Sequence, residues 1–229
     1  MSSKTFWDKE YAGGDKFSLS ERPAEDLLKF CRWLEREFGK KFLNPTIKVL
    51  DLGCGNGRNL IHIAQTYGVR GVGYDLSDVA IKQAKRLGAG LDLDFVSRSI
   101  AGAIDLPDAS VDMVFDMMSS HYLPEKERLL LIGEIGRVLK PGGWFFYKTF
   151  LLDGDINAGN LLRKFPANEK NSYIHPTIGS LEHVSMEAEI RNIYEPYFEI
   201  KKVEKSGKFI IHGRAGKRRS IIVYMERKY

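Results

Sequence analysis

The sequence has 229 residues, of which 43% are hydrophobic and 28% are charged, and its net charge is +5. This composition excludes a disordered, collagen-like or disulfide-stapled chain, and the length suits one α/β domain with a full core. The sequence contains neither a run of about eighteen apolar residues nor the apolar segment of a signal peptide. Cys31 and Cys54 are the two cysteines, too few for a zinc cluster, and we expect a protein of the reducing cytoplasm.

The basic excess lies at the C-terminal end of the chain. Residues 201–229 contain ten Lys or Arg against two Glu, a net charge of +8, whereas residues 1–200 contain 25 basic and 28 acidic residues, a net charge of −3. Such a segment is typical either of a solvated hairpin or of a surface that meets phosphates or an anionic substrate. Composition alone leaves both interpretations open.

Helices and strands alternate along residues 24–150. Apolar residues recur at helical spacing in four segments, and short apolar runs bounded by turn residues predict strands between them. The predicted helices are 24–38, 57–67, 78–87 and 125–139, and the predicted strands are 47–53, 69–74, 93–96, 111–115 and 143–150. This alternation implies right-handed crossovers, a mostly parallel sheet and helices on both faces, which is a doubly wound α/β fold.

The last third of the chain follows a different pattern. Residues 151–184 are rich in Gly, Asn, Asp and Ser without a clean period, which predicts a long insertion over the carboxyl edge of the sheet. The predicted elements after it are a helix over 185–194 and strands over 197–205 and 219–227. Gly213 and Gly216 in the connecting turn favour antiparallel pairing of these strands. We interpret 1–229 as one domain with four parts, which are a helical N-terminal segment (1–44), a core (45–150), the insertion (151–184) and a C-terminal helix with the strand pair (185–229).

A glycine-rich turn follows the first predicted strand. The segment VLDLGCGNGR, residues 49–58, passes from a strand through three alternating glycines into a helix. Glycines permit a sharp turn and let a ligand approach the backbone, and the helix start offers free N–H groups. The dinucleotide pattern Gly-x-Gly-x-x-Gly fails because Arg58 stands at its last position. Asp51 disfavours a pyrophosphate and suits a cation, so a ligand with an ammonium and a sulfonium fits better.

A second carboxylate ends the second predicted strand, in Tyr74-Asp75-Leu76-Ser77. Asp75 lies 22 residues after Gly53, close to the spacing of about 20 expected for a carboxylate that accepts ribose hydroxyls. Leu76 is suited to the apolar wall beside a base. Asp75 alone also fits the cap of the following helix, but its combination with the glycine turn favours ribose binding.

Four motifs lie between residues 45 and 150, namely VLDLGCGNGRN, GVGYDLS, IDLPDASVDMVF and LLLIGEIGRVLKPGGWFFYKTF. In this order they resemble the first motif, the second motif, the stretch ending in the fourth strand, and the following helix with the fifth strand of class I S-adenosylmethionine-dependent methyltransferases. The phrase RVLKPGG is especially specific. The resemblance implies S-adenosyl-L-methionine as cofactor and a seven-stranded sheet whose last strand is antiparallel, which agrees with the predicted strand pair.

The resemblance also implies a set of cofactor contacts. Residues of the glycine turn would line the methionine part, Asp75 would hold the ribose and Leu76 would touch the adenine. Many members place an Asp before the Leu-Pro stretch to meet the adenine amine, but this chain has Ser99-Ile100 there, so we expect apolar and backbone contacts instead. The implied cofactor residues are Asp51, Gly53, Cys54, Gly55, Asp75, Leu76, Ile100, Asp116 and Met117.

Methyl transfer places few demands on catalytic side chains. The methyl carbon on a sulfonium is already activated, so the protein must mainly align donor and acceptor. A general base helps only if the acceptor has to lose a proton. His121 matches a family position near the transferred methyl group, and His121 and Asp116 are the candidate bases, although a packed histidine that never meets a proton is an equal interpretation. No Asp/His cluster has metal-ligand spacing, and we predict no metal site.

The methyl acceptor is not encoded in a motif. After the fourth strand many nucleic-acid-modifying members carry Asn-Pro-Pro-Tyr, whereas this chain has Asp-Met-Met-Ser over 116–119, which disfavours a base amine as acceptor. In small-molecule methyltransferases an aromatic N-terminal segment often folds over the cofactor, and Trp7, Tyr11 and Arg22 are the corresponding residues here. Packing of that segment on the sheet without a binding role is the alternative.

Three functions therefore remain open. The first is methyl transfer to an O, N or S atom of a small molecule, with Tyr11, Tyr122 and His175 as substrate contacts. The second is methylation of RNA or protein guided by the basic segment around Lys217, Arg218 and Arg219. The third is a non-catalytic S-adenosylmethionine-binding protein. We favour the first; a nucleic-acid partner stays open but is not favoured, no membrane partner is expected, and the sequence predicts no oligomeric state.

Overall fold

The structure is a computed structural model that describes residues 3–17, 19–207, 210–211, 214–215 and 218–229. The strands are β1 (Lys48–Leu52), β2 (Arg70–Asp75), β3 (Leu93–Ser97), β4 (Val111–Met117), β5 (Leu139–Phe150), β6 (Ser172–Ile174), β7 (Leu181–His183), β8 (Phe198–Lys205), β9 (Ile210–Ile211), β10 (Arg214–Ala215) and β11 (Ser220–Arg227). The helices are α1 (Ser3–Tyr11), α2 (Glu25–Phe38), α3 (Arg58–Tyr67), α4 (Asp78–Leu87), α5 (Glu125–Val138), α6 (Ile156–Lys164) and α7 (Glu187–Tyr194), with a 3₁₀ turn at Ser120–Tyr122.

Seven of these strands form one sheet in the order β3-β2-β1-β4-β5-β11-β8. The neighbours from β3 to β5 pair in parallel, and β11 pairs antiparallel with both β5 and β8. The strand order reverses at β1, so the chain winds outward from β1 in two directions. The doubly wound sheet with an antiparallel last strand, expected from the sequence, is confirmed.

The core consists of two apolar layers on opposite faces of the sheet. Adjacent strand residues point to opposite faces, so Val49 packs with Phe30 of α2 and Leu60 of α3, whereas Leu50 packs with Ile135 of α5 on the other side. Helix α7 adds Tyr194 to this second layer. Helices therefore cover both faces and leave the carboxyl ends of the parallel strands as the accessible edge.

Two strand ends differ from the prediction. β4 continues to Met117 because Asp116 and Met117 still pair with Tyr147 and Lys148 of β5, so both residues belong to the strand rather than to the loop after it. β5 begins at Leu139 rather than at residue 143, and a register shift of the β4–β5 ladder accommodates the Pro-Gly-Gly segment. Ladder hydrogen bonds, which a sequence period does not reveal, extend both strands.

The predicted insertion is more regular than its composition indicates. It contains α6 and the antiparallel pair β6–β7, which lies next to the 3₁₀ turn at the carboxyl edge. Asp155 caps α6 by accepting a hydrogen bond from the Ala158 backbone N–H at 3.0 Å. Its other carboxylate oxygen accepts from the backbone N–H of Arg219. An apolar cluster of Ala158, Tyr173 and Val184 also holds the insertion, but its members come from separate segments, and the sequence period therefore misses it.

The C-terminal strand pair is confirmed as antiparallel, with Val203 opposite Val223. Gly213, Gly216 and Lys217 of its connecting segment lie outside the described residues. Among the helices of the described residues, none is long and apolar enough to cross a membrane.

Candidate functional site

A cavity of about 300 Å³ opens at the carboxyl edge of β1, β2 and β4, where the strand order reverses. Ligands of open α/β sheets bind at this position. Helix α1 and the segment before α2 cover it through Trp7, Tyr11, Leu19 and Ser20. The predicted cofactor residues that line it are Gly53, Cys54, Gly55, Asp75, Leu76, Ile100 and Met117. Asp51 and Asp116 are both buried and lie behind this wall.

The glycine turn follows β1 at the floor of the cavity and is hydrogen-bonded to the end of β2. The backbone N–H of Gly53 donates to the Tyr74 carbonyl at 2.7 Å, and the N–H of Gly55 donates to Asp75 Oδ2 at 2.8 Å. Both glycines have positive φ, +72° and +58°. A Cβ on Gly55 would stand 2.2 Å from the hydroxyl oxygen of Tyr11. The turn therefore needs glycine for its conformation and for the close approach of α1.

Asp75 presents a carboxylate that is held in place but not saturated. Its Oδ1 accepts from the Ser77 N–H and its Oδ2 from the Gly55 N–H, each at 2.8 Å. A carboxylate has about four acceptor sites, so each oxygen keeps one for a ligand hydroxyl. The helix cap is Ser77 itself, whose Oγ accepts from the Ala80 N–H at 3.1 Å. Asp75 thus keeps acceptor capacity, and its role in binding a diol stays a prediction.

Two buried carboxyl groups, Asp51 and Asp116, and the half-buried Asp75 gather at this edge. Burial raises the pKa of Asp75 and of Asp116, and burial together with these two neighbours raises the pKa of Asp51 to about 7. Within the described residues, Oδ2 of Asp51 and Oδ2 of Asp116 are buried without a hydrogen-bond partner. Because like charges repel in a poorly solvated site, a cationic ligand in front of them would be stabilised.

The predicted role of the N-terminal segment as a cover is consistent with its contacts. Asp8 accepts a hydrogen bond from the Ser77 hydroxyl at 2.7 Å, and the Tyr11 carbonyl accepts one from the Gln83 side chain at 2.7 Å. These bonds dock α1 on α4 while Trp7 and Tyr11 face the cavity. Arg22 does not line the cavity, and its backbone carbonyl accepts a hydrogen bond from the guanidinium of Arg58.

Comparison with known proteins identifies the core. Residues 49–143 match a family model described as a methyltransferase domain. The 27-O-demethylrifamycin SV methyltransferase of Amycolatopsis mediterranei is 35% identical over 150 residues, which cover 64% of this chain and 50% of that protein. The tocopherol O-methyltransferase of Arabidopsis thaliana is 34% identical over 132 residues, which cover 56% of this chain and 36% of that protein. The chain spans about half, or less, of the length of these relatives.

Similarity in structure extends further along the chain. A solved S-adenosylmethionine-dependent methyltransferase from Methanosarcina mazei superposes with a TM-score of 0.65 at 23% identity and covers 79% of this chain and 92% of its own. This chain therefore has the fold of S-adenosylmethionine-dependent methyltransferases, and its residues 49–143 match a methyltransferase domain.

The cavity has features that suit S-adenosyl-L-methionine, the cofactor that the sequence resemblance implies. Asp75 offers two acceptor sites for the two hydroxyls of a ribose. Leu76 and Ile100 supply apolar surface near it for a flat base. Asp51 and Asp116 are buried and do not line the cavity, but a cationic ligand near them would favour their ionised forms.

The raised pKa of Asp51 predicts that the stability of the protein depends on pH. Its pKa is about 7 in the folded chain and 3.8 as a free group, so between these values the folded state holds a proton that the unfolded state has lost. Stability of the ligand-free protein therefore falls as pH rises through this window. Asp51→Asn removes this loss, so we expect its stability relative to wild type to rise by about 2 kcal/mol from pH 5 to pH 8 in urea denaturation, since each pH unit between 5 and the folded-state pKa of about 7 contributes up to about 1.36 kcal/mol.

The exposed Asp94 of β3 provides the matched control, because Asp94→Asn removes a solvated carboxylate. The difference between Asp94→Asn and wild type should not change between pH 5 and pH 8. An equally constant difference for Asp51→Asn would contradict the raised pKa.

The two candidate bases lie outside the cavity wall. Burial, followed by the charge of Arg218, lowers the pKa of His121 to about 3, and its two ring nitrogens are buried without partners among the described residues. Its ring packs on Tyr122 at 4.1 Å. Asp116 Oδ1 accepts from the Ser119 hydroxyl at 2.6 Å and thereby fixes the turn after β4. These positions favour structural roles for both, and a catalytic role stays a prediction without support from the geometry.

Two of the three predicted substrate residues line the cavity, and the third does not. Tyr11 and Tyr122 line the cavity, and Tyr122 meets Trp7 with ring centroids 5.9 Å apart. His175 does not line the cavity. Its Nδ1 accepts hydrogen bonds from the backbone N–H groups of Thr177 and Ile178, each at 3.2 Å. It contacts the N-terminal segment through the ring of Phe17, at 6.4 Å between centroids. Only the tyrosines are placed to touch an acceptor.

Sequence reasoning missed Asn59 and Lys148, which both line the cavity. Asn59 of α3 accepts from the Ala24 backbone N–H at 2.9 Å and donates to the sulfur of Met117 at 3.4 Å. Lys148 donates to Asp26 of α2 at 2.6 Å. The one available signal was the lysine that interrupts the apolar segment WFFYKTF near the end of β5.

Proposed function

We propose that this chain transfers a methyl group from S-adenosyl-L-methionine to a small-molecule acceptor. The observation that carries the proposal is the carboxylate of Asp75, fixed by two backbone N–H groups and with acceptor capacity left toward the cavity. The glycine turn and the buried carboxylates beside it support the same ligand. The family supports the type of reaction.

The residues of the chain perform mainly binding and alignment. The cofactor supplies an activated methyl group on a sulfonium. Asp75 holds the ribose, and the buried negative charge of Asp51 and Asp116 favours the cationic end. Trp7 and Tyr11 cover the cavity and exclude water. Holding the acceptor in line with the methyl carbon is worth several kcal/mol of the barrier.

A small acceptor is supported by the relatives and by the size of the cavity. The relatives named above are methyltransferases of tocopherol and of 27-O-demethylrifamycin SV. In this chain Trp7 and Tyr122 narrow the space next to the cofactor residues, which suits a small flat molecule better than a polymer. The identity of the acceptor is part of the proposal and is open to direct measurement.

The basic C-terminal segment gives little support to an RNA or protein acceptor. Arg218 is paired with the carboxylates of Asp155 and Glu182, and Arg219 donates to the carbonyl of Ser206 at 3.0 Å. Both guanidinium groups thus face the protein itself. Lys217 lies outside the described residues.

Removal of the ribose acceptor tests the proposed cofactor site. We expect Asp75→Ala to weaken the binding of S-adenosylhomocysteine by about 2–3 kcal/mol, or roughly 30- to 150-fold, because a charged acceptor of two hydroxyls is lost. Isothermal titration calorimetry measures this change. Asp94→Ala, at an exposed position on β3, is the matched control and should bind as wild type does.

Circular dichroism checks that Asp75→Ala keeps the fold. A folded variant with unchanged affinity would remove Asp75 from the binding site. Incubation of wild type with methyl-labelled cofactor and a small-molecule extract then tests the transfer itself. Labelled product below the size of proteins and nucleic acids is expected, and label confined to RNA or protein would overturn the choice of acceptor class.

A further inference from the structure

The cavity has a distinct acceptor end at the edge of β4 and β5. Cofactor residues of the ribose and adenine lie on the β2 and β3 side, so the remaining wall belongs to the second substrate. This wall has the side chains of Met117, Met118, Tyr122 and Leu123, with the polar residues Asn59, Ser119 and Lys148 beside them, and of these residues Lys148 has the positive charge. Lys148 pairs with Met117, the last residue of β4, in the β4–β5 ladder, which places it next to this wall.

Lys148 is held in position and keeps positive charge in excess. Its Nζ donates to Asp26 Oδ2 at 2.6 Å, and both side chains are 22% exposed. Lys29 approaches the other oxygen of Asp26 at 3.6 Å. The three side chains therefore sum to one positive charge. An ammonium has three donors, and Asp26 is the one hydrogen-bond partner of Lys148 Nζ among the described residues, so donors remain for a ligand.

The acceptor end offers no group that would readily remove a proton. Of the lining residues with acidic groups, Asp75 sits at the ribose position, and burial raises the pKa values of the Tyr122 hydroxyl, the Tyr11 hydroxyl and the Cys54 thiol. These three therefore remain protonated. His121 does not line the cavity. An acceptor that has to lose a proton must therefore ionise by itself or with the help of a nearby positive charge.

Building on the proposed function, we infer that Lys148 recognises the acceptor and that the acceptor is a phenol or a carboxylic acid that reacts as its oxyanion. The hydroxyl proton of the acceptor leaves to solvent, and the ammonium of Lys148 stabilises the oxyanion. The oxygen lone pair then forms a bond to the methyl carbon as the carbon–sulfur bond breaks, and the bonding electrons stay on sulfur. A neutral ether or ester and a neutral thioether result, so charge and atoms balance.

The test uses the full chain saturated with S-adenosylhomocysteine. Two probes of similar size, 4-nitrophenol and nitrobenzene, are bound at a pH where the phenol is ionised. Wild type should bind 4-nitrophenolate about tenfold or more tightly than nitrobenzene. It should also lower the pKa of the bound phenol, measured by its absorbance. Lys148→Met should abolish the preference and the pKa change, whereas Lys148→Arg should keep part of both.

Lys140→Met is the matched control, because Lys140 lies on the same strand in a similar pair with Asp112 at 2.6 Å, but at the opposite edge of the sheet. It should behave as wild type does. Absence of a preference for the phenolate in wild type, or its persistence in Lys148→Met, would overturn the inference.

A second arm separates the acceptor oxyanion from the carboxylate of the cofactor. Lys148→Met should change the affinity neither for S-adenosylhomocysteine nor for 5′-methylthioadenosine, which lacks that carboxylate. A selective loss for S-adenosylhomocysteine would assign Lys148 to the cofactor and overturn the inference. If wild type does not bind S-adenosylhomocysteine, the proposed function itself fails, whereas cofactor binding without phenolate preference refutes only the role of Lys148.

Discussion

Arg218→Met is expected to lower the free energy of unfolding by about 3–5 kcal/mol. Removal of one partner from a buried ionic cluster leaves uncompensated charge in a poorly solvated place. The affected charges are the carboxylates of Asp155 and Glu182, whose side chains are each 2% exposed. Urea denaturation should show a lower midpoint with an unchanged slope.

The contacts of Arg218 explain the size of this effect. Its guanidinium lies 3.3 Å from Asp155, 3.1 Å from Glu182 and 2.6 Å from the hydroxyl of Tyr173. The same group stacks on the ring of Phe150 at 4.1 Å. One side chain therefore joins α6, both strands of the β6–β7 pair and the end of β5. Its loss should loosen the contacts of α6 and of the β6–β7 pair with the end of β5.

An exposed ion pair serves as the control. Arg32→Met removes a guanidinium that is 2.8 Å from Glu25, but these side chains are 56% and 64% exposed, and the cost should be below about 1 kcal/mol. Adding Glu182→Gln to Arg218→Met should restore part of the stability, because it removes one of the stranded charges. An effect of Arg218→Met as small as that of Arg32→Met would contradict the buried network.

Gly53→Ala is expected to destabilise the protein by about 3 kcal/mol or more and to abolish measurable cofactor binding. Gly53 has φ of +72°, and an added Cβ would lie 2.3 Å from Ser119 Cβ. Ser119 cannot move freely, because its hydroxyl lies 2.6 Å from both the Leu52 carbonyl and Asp116 Oδ1. Relief of the clash would shift the glycine turn and the end of β4 together.

Gly90 separates the effect of the clash from that of backbone conformation. Its φ of +84° is similar, but a Cβ there would meet no atom within 4 Å. Gly90→Ala should therefore cost only the left-handed conformation, about 1–2 kcal/mol, and leave cofactor binding unchanged. Thermal unfolding and calorimetry on both variants give the comparison, and equal losses of stability would mean that the contact with Ser119 does not matter.

Much of the fold and of the cofactor site follows from local sequence. The strands and helices of the core bury whole faces, so their apolar periods are visible in the sequence. Gly53 was predicted from the alternating glycines between a strand and a helix, and Asp75 from its spacing of 22 residues after Gly53. The structure places both in the cavity wall.

The remaining features depend on contacts between distant residues. Lys148 and Asp26 are 122 positions apart, and no local pattern indicates that they meet. The insertion is held by Asp155, Glu182 and Arg218, which come from three separate segments. The resemblance placed His121 near the transferred methyl group. Its position outside the cavity wall depends on how Tyr122 and Phe150 pack around it, which the sequence does not show.

The most direct test of the central claim is a crystal structure of the chain with bound S-adenosylhomocysteine. The two ribose hydroxyls should lie about 2.5–3.0 Å from the carboxylate oxygens of Asp75, with the homocysteine part next to the glycine turn. A ligand bound elsewhere, or ribose hydroxyls held by other groups while Asp75 faces only the backbone, would contradict the account.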